Sequence, residues 1–270
     1  MIIASWRDYA SRGRPISHSS DPVRILHVTD PHLFADPEAG FRGIVTGDSL
    51  QLVLDHIQSA DWPADFVAVT GDLIQDDSSA AYERFCEQFS TLGLPIHCIP
   101  GNHDIRELMQ KALQRPSFHY CETVRIGSWT IIGIDSCLSG TAEGAVSNDE
   151  LDRLRGILDE TNDSYVLVCL HHPPLPVGSK WLDSVGLKNA DEFLDLLACY
   201  SQVRGAIFGH VHQAVDETRN DLRIIGTPST CTQFKKNSDK FAVDENPPAY
   251  RRVSLLQDGT IEEELIWLDS

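Results

Sequence analysis

The sequence predicts an α/β fold, and three observations predict it. Short β-branched apolar runs alternate with amphipathic helical runs, and clusters of His, Asp and Asn sit just behind the apolar runs. No repeat, low-complexity tract or linker divides the 270 residues. One α/β domain is the economical architecture for such a pattern. We take residues 1–22 as an N-terminal tail and 23–270 as the domain. The first twenty residues carry Arg7, Arg12 and Arg14 against Asp8. A transit peptide has that look, but there is no apolar secretion core, and a frayed or edge-lying tail is the expectation.

The elements follow in order. Arg24–Thr29, Phe66–Thr70 and Pro95–Ile99 are short and strand-like, each followed by polar residues. Between the first two, Leu50, Val53, Leu54 and Ile57 repeat at i, i+3, i+4, i+7, and Asp48 and Ser49 are expected to cap that helix. Tyr82, Phe85, Phe89 and Leu92 give a second helix. Ser147 and Glu150 form a capping-box signature ahead of Leu151, Leu154 and Leu158. Tyr165–Leu170 and Val203–Phe208 are further strands, separated by a helix that Asn189 opens. The stretch from Tyr250 to Leu268 reads as a hairpin around Asp258-Gly259.

Charge narrows the partners. Lys plus Arg number 22 and Asp plus Glu 40, so the net charge is 22 − 40 = −18. Nucleic-acid polymers and membrane surfaces are anionic and repel such a chain, so neither is an expected partner. No run approaches the roughly 20 apolar residues of a membrane helix. An anionic substrate would need positive charge supplied locally. The seven cysteines are scattered without a CxxC pair. Buried thiols in a reducing compartment explain them, and a cytoplasmic protein is expected.

Five clusters carry the chemistry, each just behind a strand, where open α/β sheets place their sites. Asp30-Pro-His32 comes first; if the segment is extended, residues two apart face one ion together. A solvated turn would look the same. Gly71-Asp72 is second, and alone it is only a turn. Gly101-Asn102-His103-Asp104 is third. Asn102 could cap a helix there, but His103 followed by Asp104 also suggests an imidazole oriented by a carboxylate. The fourth is His171-His172; adjacent extended residues face opposite ways, so one is expected to ligate, namely His171. The fifth is Gly209-His210-Val-His212, with Gly209 allowing close backbone approach. Six of the 11 histidines fall in these clusters. His18, His27, His56, His97 and His119 show no partner pattern and are expected to be satisfied strand or surface imidazoles.

In this order (D-x-H, G-D, G-N-H-[DE], H, G-H-x-H) the clusters resemble the calcineurin-like metallophosphoesterase superfamily, across Arg24 to Gln213. The resemblance implies a four-layer α-β-β-α sandwich carrying two divalent ions. It implies that Asp30, His32, Asp72 and His212 hold one ion and that Asp72, Asn102, His171 and His210 hold the other. Outside those blocks, His172–Asp183, Gly186–Asn189, Thr227–Phe234, Asp76–Ala80 and Leu33-Phe34 are similar to the class III bacterial 3′,5′-cyclic-AMP phosphodiesterases. That similarity implies cyclic AMP as substrate, hydrolysed to 5′-AMP by a hydroxide between the two ions. His32, Asp72, Asn102, His103 and His212 would meet the substrate. His103, backed by Asp104, would be catalytic, either contacting the phosphate or protonating the departing 3′-oxygen; a purely structural imidazole fixing the Asn102 loop is the alternative.

The donor types suit this chemistry. Two metals acidify water and clamp the phosphoryl oxygens of an anion that repels hydroxide. The mixed nitrogen and oxygen set suits Fe, Mn, Co or Zn over Mg or Ca, and the resemblance favours iron or manganese. The pair also gives a −18 protein a cationic cleft. Rival expectations are a broader phosphoesterase acting on 2′,3′-cyclic nucleotides, nucleotides or aryl phosphodiesters, and a non-catalytic scaffold of the same fold. Trp181 or Phe234 is a candidate to stack on the base. The sequence leaves a homo-oligomer open.

Overall fold

Parallel strands buried on both faces read as unbroken apolar runs, and these runs form the middle of both sheets. A computed structural model describes residues 21–219 and 221–268. The tail expectation falls almost wholly on residues 1–20, outside the described residues.

The chain runs β1 (Val23–Val28), the short pair β2 (Gly40–Phe41) and β3 (Ile44–Val45), α1 (Thr46–Ser59), β4 (Phe66–Val69), α2 (Ser79–Ser90), β5 (Ile96–Cys98), α3 (Arg106–Ala112) and β6 (Phe118–Tyr120). It continues with β7 (Thr123–Ile126), β8 (Trp129–Gly133), α4 (Asn148–Glu160), β9 (Tyr165–Cys169), α5 (Lys180–Asp183), α6 (Ala190–Ala198) and β10 (Val203–Phe208). The remaining strands are β11 (Val215–Arg219), β12 (Leu222–Gly226), β13 (Gln233–Phe234), β14 (Val243–Asp244), β15 (Ala249–Leu255) and β16 (Ile261–Trp267).

Two mixed six-stranded sheets result, ordered β16-β15-β1-β4-β5-β6 and β11-β12-β10-β9-β8-β7. In the first, β1, β4, β5 and β6 are parallel and the β15–β16 hairpin adds antiparallel strands at one edge. In the second, β8, β9, β10 and β12 are parallel, with β7 and β11 antiparallel at the two edges.

Strand alternation builds the layers. On β4, Phe66 and Ala68 face the other sheet, while Val67 and Val69 face α1 and α2. On β9, Leu167 and Cys169 enter the inter-sheet core, while Val166 and Val168 join the core under α4 and α6. The order of layers is helix, sheet, sheet, helix, as the resemblance implies.

Local signals hold in part. Ser78 and Ser147 cap α2 and α4, accepting from the backbone N–H of Ala81 (3.1 Å) and Glu150 (3.2 Å). The Glu150 carboxylate does not return to Ser147; it accepts from Asp135 N at 3.1 Å, so half of the capping box forms. Helix α1 starts at Thr46, ahead of the expected cap, and has no side-chain cap. Ser49 Oγ instead donates to the Thr230 carbonyl at 2.6 Å. Leu92 lies beyond the end of α2 but still packs on its core. Among the described residues, no helix is long and apolar enough to cross a membrane.

Candidate metal centre

Three ligand loops leave the first sheet behind β1, β4 and β5, and two leave the second behind β9 and β10. All five meet at one end of the sandwich. The first two are zipped: Asp30 N donates to Gly71 O (3.1 Å), His32 N to Asp72 O (3.0 Å) and Leu33 N to Leu73 O (3.0 Å). The last two are joined by Gly209 N donating to His171 O at 3.2 Å. His210 N reaches across the sheets to the Asp30 carboxylate (3.2 and 3.1 Å).

Convergence does not come from extended backbone. Asp30, His32, Asp72, His210 and His212 all have positive φ, at 52°, 46°, 51°, 68° and 49°. L-residues occupy that left-handed region at a cost and chiefly at functional sites. The residues that period-two reasoning paired do come together, but through left-handed rather than extended backbone. Gly71, at φ +101°, is where a side chain is impossible: a Cβ would lie 2.5 Å from His171 Nδ1. At Gly209 a Cβ would collide with Thr29 and Asp30, which accounts for the close approach expected there.

The seven expected ligands come together as two overlapping sets. Asp72 turns Oδ2 towards His32 Nε2 (3.6 Å) and Oδ1 towards His171 Nε2 (3.5 Å). On one side, His32 Nε2 faces His212 Nε2 at 3.2 Å, and His212 Nε2 lies 3.4 Å from Asp30 Oδ1. On the other, Asn102 Oδ1 lies 3.1 Å from His171 Nε2 and 2.9 Å from His210 Nδ1. His210 Nδ1 and His171 Nε2 are themselves 3.3 Å apart. Apart from part-buried Asn102, all these ligands are buried.

Backbone carbonyls fix which ring nitrogen faces the cluster. His171 Nδ1 donates to Thr70 O (2.7 Å), and His212 Nδ1 to Thr232 O (2.6 Å). Both Nε2 atoms therefore point inward, the arrangement that outer partners impose on metal-binding imidazoles. Nitrogen faces nitrogen at short range between two buried carboxylates, and a cation between them reconciles the set. Burial pushes His32 and His210 down to about 3, so both rings are neutral donors. Burial opposes charge on Asp72 and His171, yet His171 and Asp72 stabilise each other's ions. Asp72 is held well below the usual carboxylate range and His171 is raised to about 9. A proton and a metal ion are alternative sources of that positive charge, so a bound metal would displace the His171 proton. The residues fit a metal pair by donor type, burial and tautomer.

Other candidates sit differently. His103 N donates to Asp72 Oδ1 at 2.9 Å, and one ring nitrogen lies within 4.8 Å of ligand atoms of His32 and Asp72. Its Nδ1 faces Gln75 Nε2 at 3.2 Å. Asp104 does not back it: that carboxylate accepts from Gly101 N (2.8 Å), Leu73 N (3.2 Å) and Tyr82 OH (3.0 Å). Burial and the Asp72 charge raise Asp104 to about 7. Asn102 does not cap α3, whose N-cap position is Ile105. His172 is held by Ser136, Nδ1 to Oγ at 2.9 Å, but its Nε2 is buried without a partner among the described residues. With His171 and His210 it makes a further set of atoms within 4.8 Å of one another.

The base-stacking candidates belong to an aromatic collar. Phe41 stacks on His32 (centroids 4.7 Å, 15°) and Phe234 on His212 (4.2 Å, 8°). Trp181 meets Phe234 edge-on at 5.1 Å, and both meet Phe241. Phe241 is 44% exposed, and Arg42 lies 4.6 Å over its ring and 5.3 Å from that of Phe41. The Thr227–Phe234 segment is also scaffold, since Ser229 Oγ donates to the Asp30 carbonyl at 2.7 Å. Sequence reasoning missed Thr70, Thr232, Ser136 and Gln75. The first two act through backbone carbonyls, which leave no residue signature.

Among the remaining histidines, His27 is satisfied by Thr70 (2.8 Å) and Thr227 (2.7 Å), and His56 by Tyr250 (3.1 Å). His97 departs from expectation: its Nδ1 is buried with no partner among the described residues. His18 lies outside them.

A sequence model of calcineurin-like phosphoesterases matches residues 23–214. The chain is 37% identical over 250 residues to the 3′,5′-cyclic adenosine monophosphate phosphodiesterase CpdA of Pseudomonas aeruginosa, covering 91% of this chain and 92% of that one. It is 39% identical over 244 residues to its namesake in Escherichia coli K12, covering 90% and 89%. A dimetal phosphatase from Danio rerio superposes with a TM-score of 0.63 at 17% identity, over 92% of this chain and 100% of that one, a likeness of fold alone. Sequence and architecture agree, and the chain belongs to the calcineurin-like phosphoesterase family of metal-dependent hydrolases.

Proposed function

We propose that the protein hydrolyses the 3′,5′-cyclic phosphodiester of cyclic AMP to 5′-AMP at a dinuclear metal centre. The observation that carries the chemistry is Asp72, which offers one carboxylate oxygen to each of two histidine sets. The substrate is supported by the cyclic-AMP phosphodiesterases to which the chain is similar along almost its whole length. Asp30, His32, Asp72 and His212 would hold one ion, and Asp72, Asn102, His171 and His210 the other. This donor set suits Fe, Mn, Co or Zn, and among these the family resemblance favours iron or manganese. When bound, the pair would acidify water and neutralise phosphoryl charge.

The chain's own residues supply the rest. Thr70 and Thr232 carbonyls keep the inward nitrogens of His171 and His212 free of protons in the loaded centre. Gln75 Nε2 lies 3.2 Å from His103 Nδ1, and an amide donating there would leave the His103 proton on Nε2. That proton is available to a departing 3′-oxygen, so His103 is proposed as the general acid. Asp104 supports the loop rather than the ring.

Steady-state kinetics on the metal-loaded protein test this, using 3′,5′-cyclic AMP, 2′,3′-cyclic AMP and bis(4-nitrophenyl) phosphate. The highest kcat/KM is expected for 3′,5′-cyclic AMP. A higher value for 2′,3′-cyclic AMP or the aryl diester would replace this reading with a broader phosphoesterase. No hydrolysis of any of them by the loaded protein would leave a scaffold.

A further inference from the structure

Three side chains that the hydrolysis does not use converge where the two sheets exchange the chain. Strand β6 is an edge of the first sheet and β7 an edge of the second, with only Cys121 and Glu122 between them. Parallel pairing of β5 with β6 sets His97 directly beside His119. Their rings stack at 4.4 Å and 11°, and His119 Nδ1 lies 3.0 Å from Glu122 Oε2. One nitrogen from each ring and one Glu122 oxygen lie within 4.8 Å of one another. A cavity of about 20 Å³ adjoins His97 and Glu122, lined otherwise by residues such as Phe66, Ile99 and Gly133. That is room for one water or one small ion.

We propose that His97, His119 and Glu122 form a separate binding site for a zinc-class transition-metal cation, which staples the edges of the two sheets. Two imidazoles and a carboxylate are a known zinc donor set. Calcium or magnesium would call for more oxygen ligands than the cluster has. His97 Nδ1 is buried and has no partner among the described residues, so one ring nitrogen of the cluster's most buried member is left unused. Burial, then the neighbouring His119, pushes His97 down to about 3, which keeps the ring a neutral donor in the working pH range. Zn–N bonds of about 2.0–2.1 Å place ligand atoms roughly 3.3 Å apart. Binding therefore draws the more exposed groups of His119 and Glu122 inward onto the more buried ring of His97. The site lies on β5, whose continuation carries Asn102 and His103, but it touches neither; its effect is on stability.

Zinc titration calorimetry tests the site on the protein with its dinuclear centre already loaded, beside His119→Ala and Glu122→Gln. The wild type should take one further equivalent of zinc and gain about 5–10 °C in Tm at a free zinc concentration near 100 times Kd. Both variants should lose that equivalent and that gain while keeping wild-type phosphodiesterase turnover. The site is read as the difference between wild type and variants, so it does not depend on how many ions the main centre holds. No further equivalent in the wild type, or one retained by both variants, overturns the proposal.

Discussion

His103 follows Asn102, and its backbone N–H holds Asp72 while its ring answers to Gln75. If the ring donates the leaving-group proton, His103→Ala should lower kcat by about 10²–10⁴ with metal content unchanged. An aryl phosphodiester, whose leaving group needs no proton, should recover much of that loss. Equal losses on both substrates would assign the ring to phosphate binding. The collar divides in a similar way. Phe234 has one face flat on His212 and meets Trp181 and Phe241 edge-on, whereas Phe241 is the exposed ring of the collar. Phe241→Ala should therefore raise KM for cyclic AMP about 5- to 150-fold, the factor matching base–aromatic stacking of about 1–3 kcal/mol. It should leave the aryl diester nearly unaffected. Phe234→Ala should instead impair both substrates and loosen metal. An unchanged KM in Phe241→Ala would leave base selection outside the collar.

At the scale of elements, the long parallel strands were legible because burial on both faces leaves unbroken apolar runs. Helix α2 was legible from periodicity and α4 from periodicity with its Ser147 cap; the Ser78 cap of α2 was not read. The pairs β2–β3 and β13–β14, with two residues per strand, carry no period to read. Helix α3 was missed because its 7 residues, with only Met109 and Ala112 buried, are too short to show a period. The ligand loops were legible as residue types but not as conformation. Five left-handed residues are tolerated because paired loops hold them, through bonds such as His32 N to Asp72 O. Asp104 illustrates the limit: adjacency to His103 suggested contact, yet the turn aims its carboxylate at Leu73, Gly101 and Tyr82. For the cap that was read correctly, Ser147→Ala should destabilise by about 1 kcal/mol. That corresponds to a fall in Tm of about 2–4 °C, readable by calorimetry, with turnover unchanged. A Tm equal to wild type would mean the Ser147 bond contributes nothing.

For the whole molecule, the sandwich brings ligands from two sheets to one end, and its core between the sheets carries a neutral imidazole. Burial, then the Arg251 charge, pushes His27 down to about 3. An unfolded histidine takes up a proton near pH 6.5. The stability His27 contributes is therefore complete above that pH and is lost as pH falls towards 3, at about 1.4 kcal/mol per pH unit. Urea unfolding between pH 6.5 and 4.5 should show a shallower fall in His27→Gln than in wild type by about that slope. Parallel curves would remove His27 from the acid response. The same sandwich explains how a chain of net charge −18 can take an anion, since the two sheets close buried histidines around a centre suited to two cations. Asp72 offers one oxygen to each half of that centre, at 3.6 and 3.5 Å. The most direct measurement is metal content and cyclic-AMP turnover on one sample of Asp72→Asn. The account predicts metal lost from both positions and turnover abolished. A full complement of metal with normal turnover would contradict it.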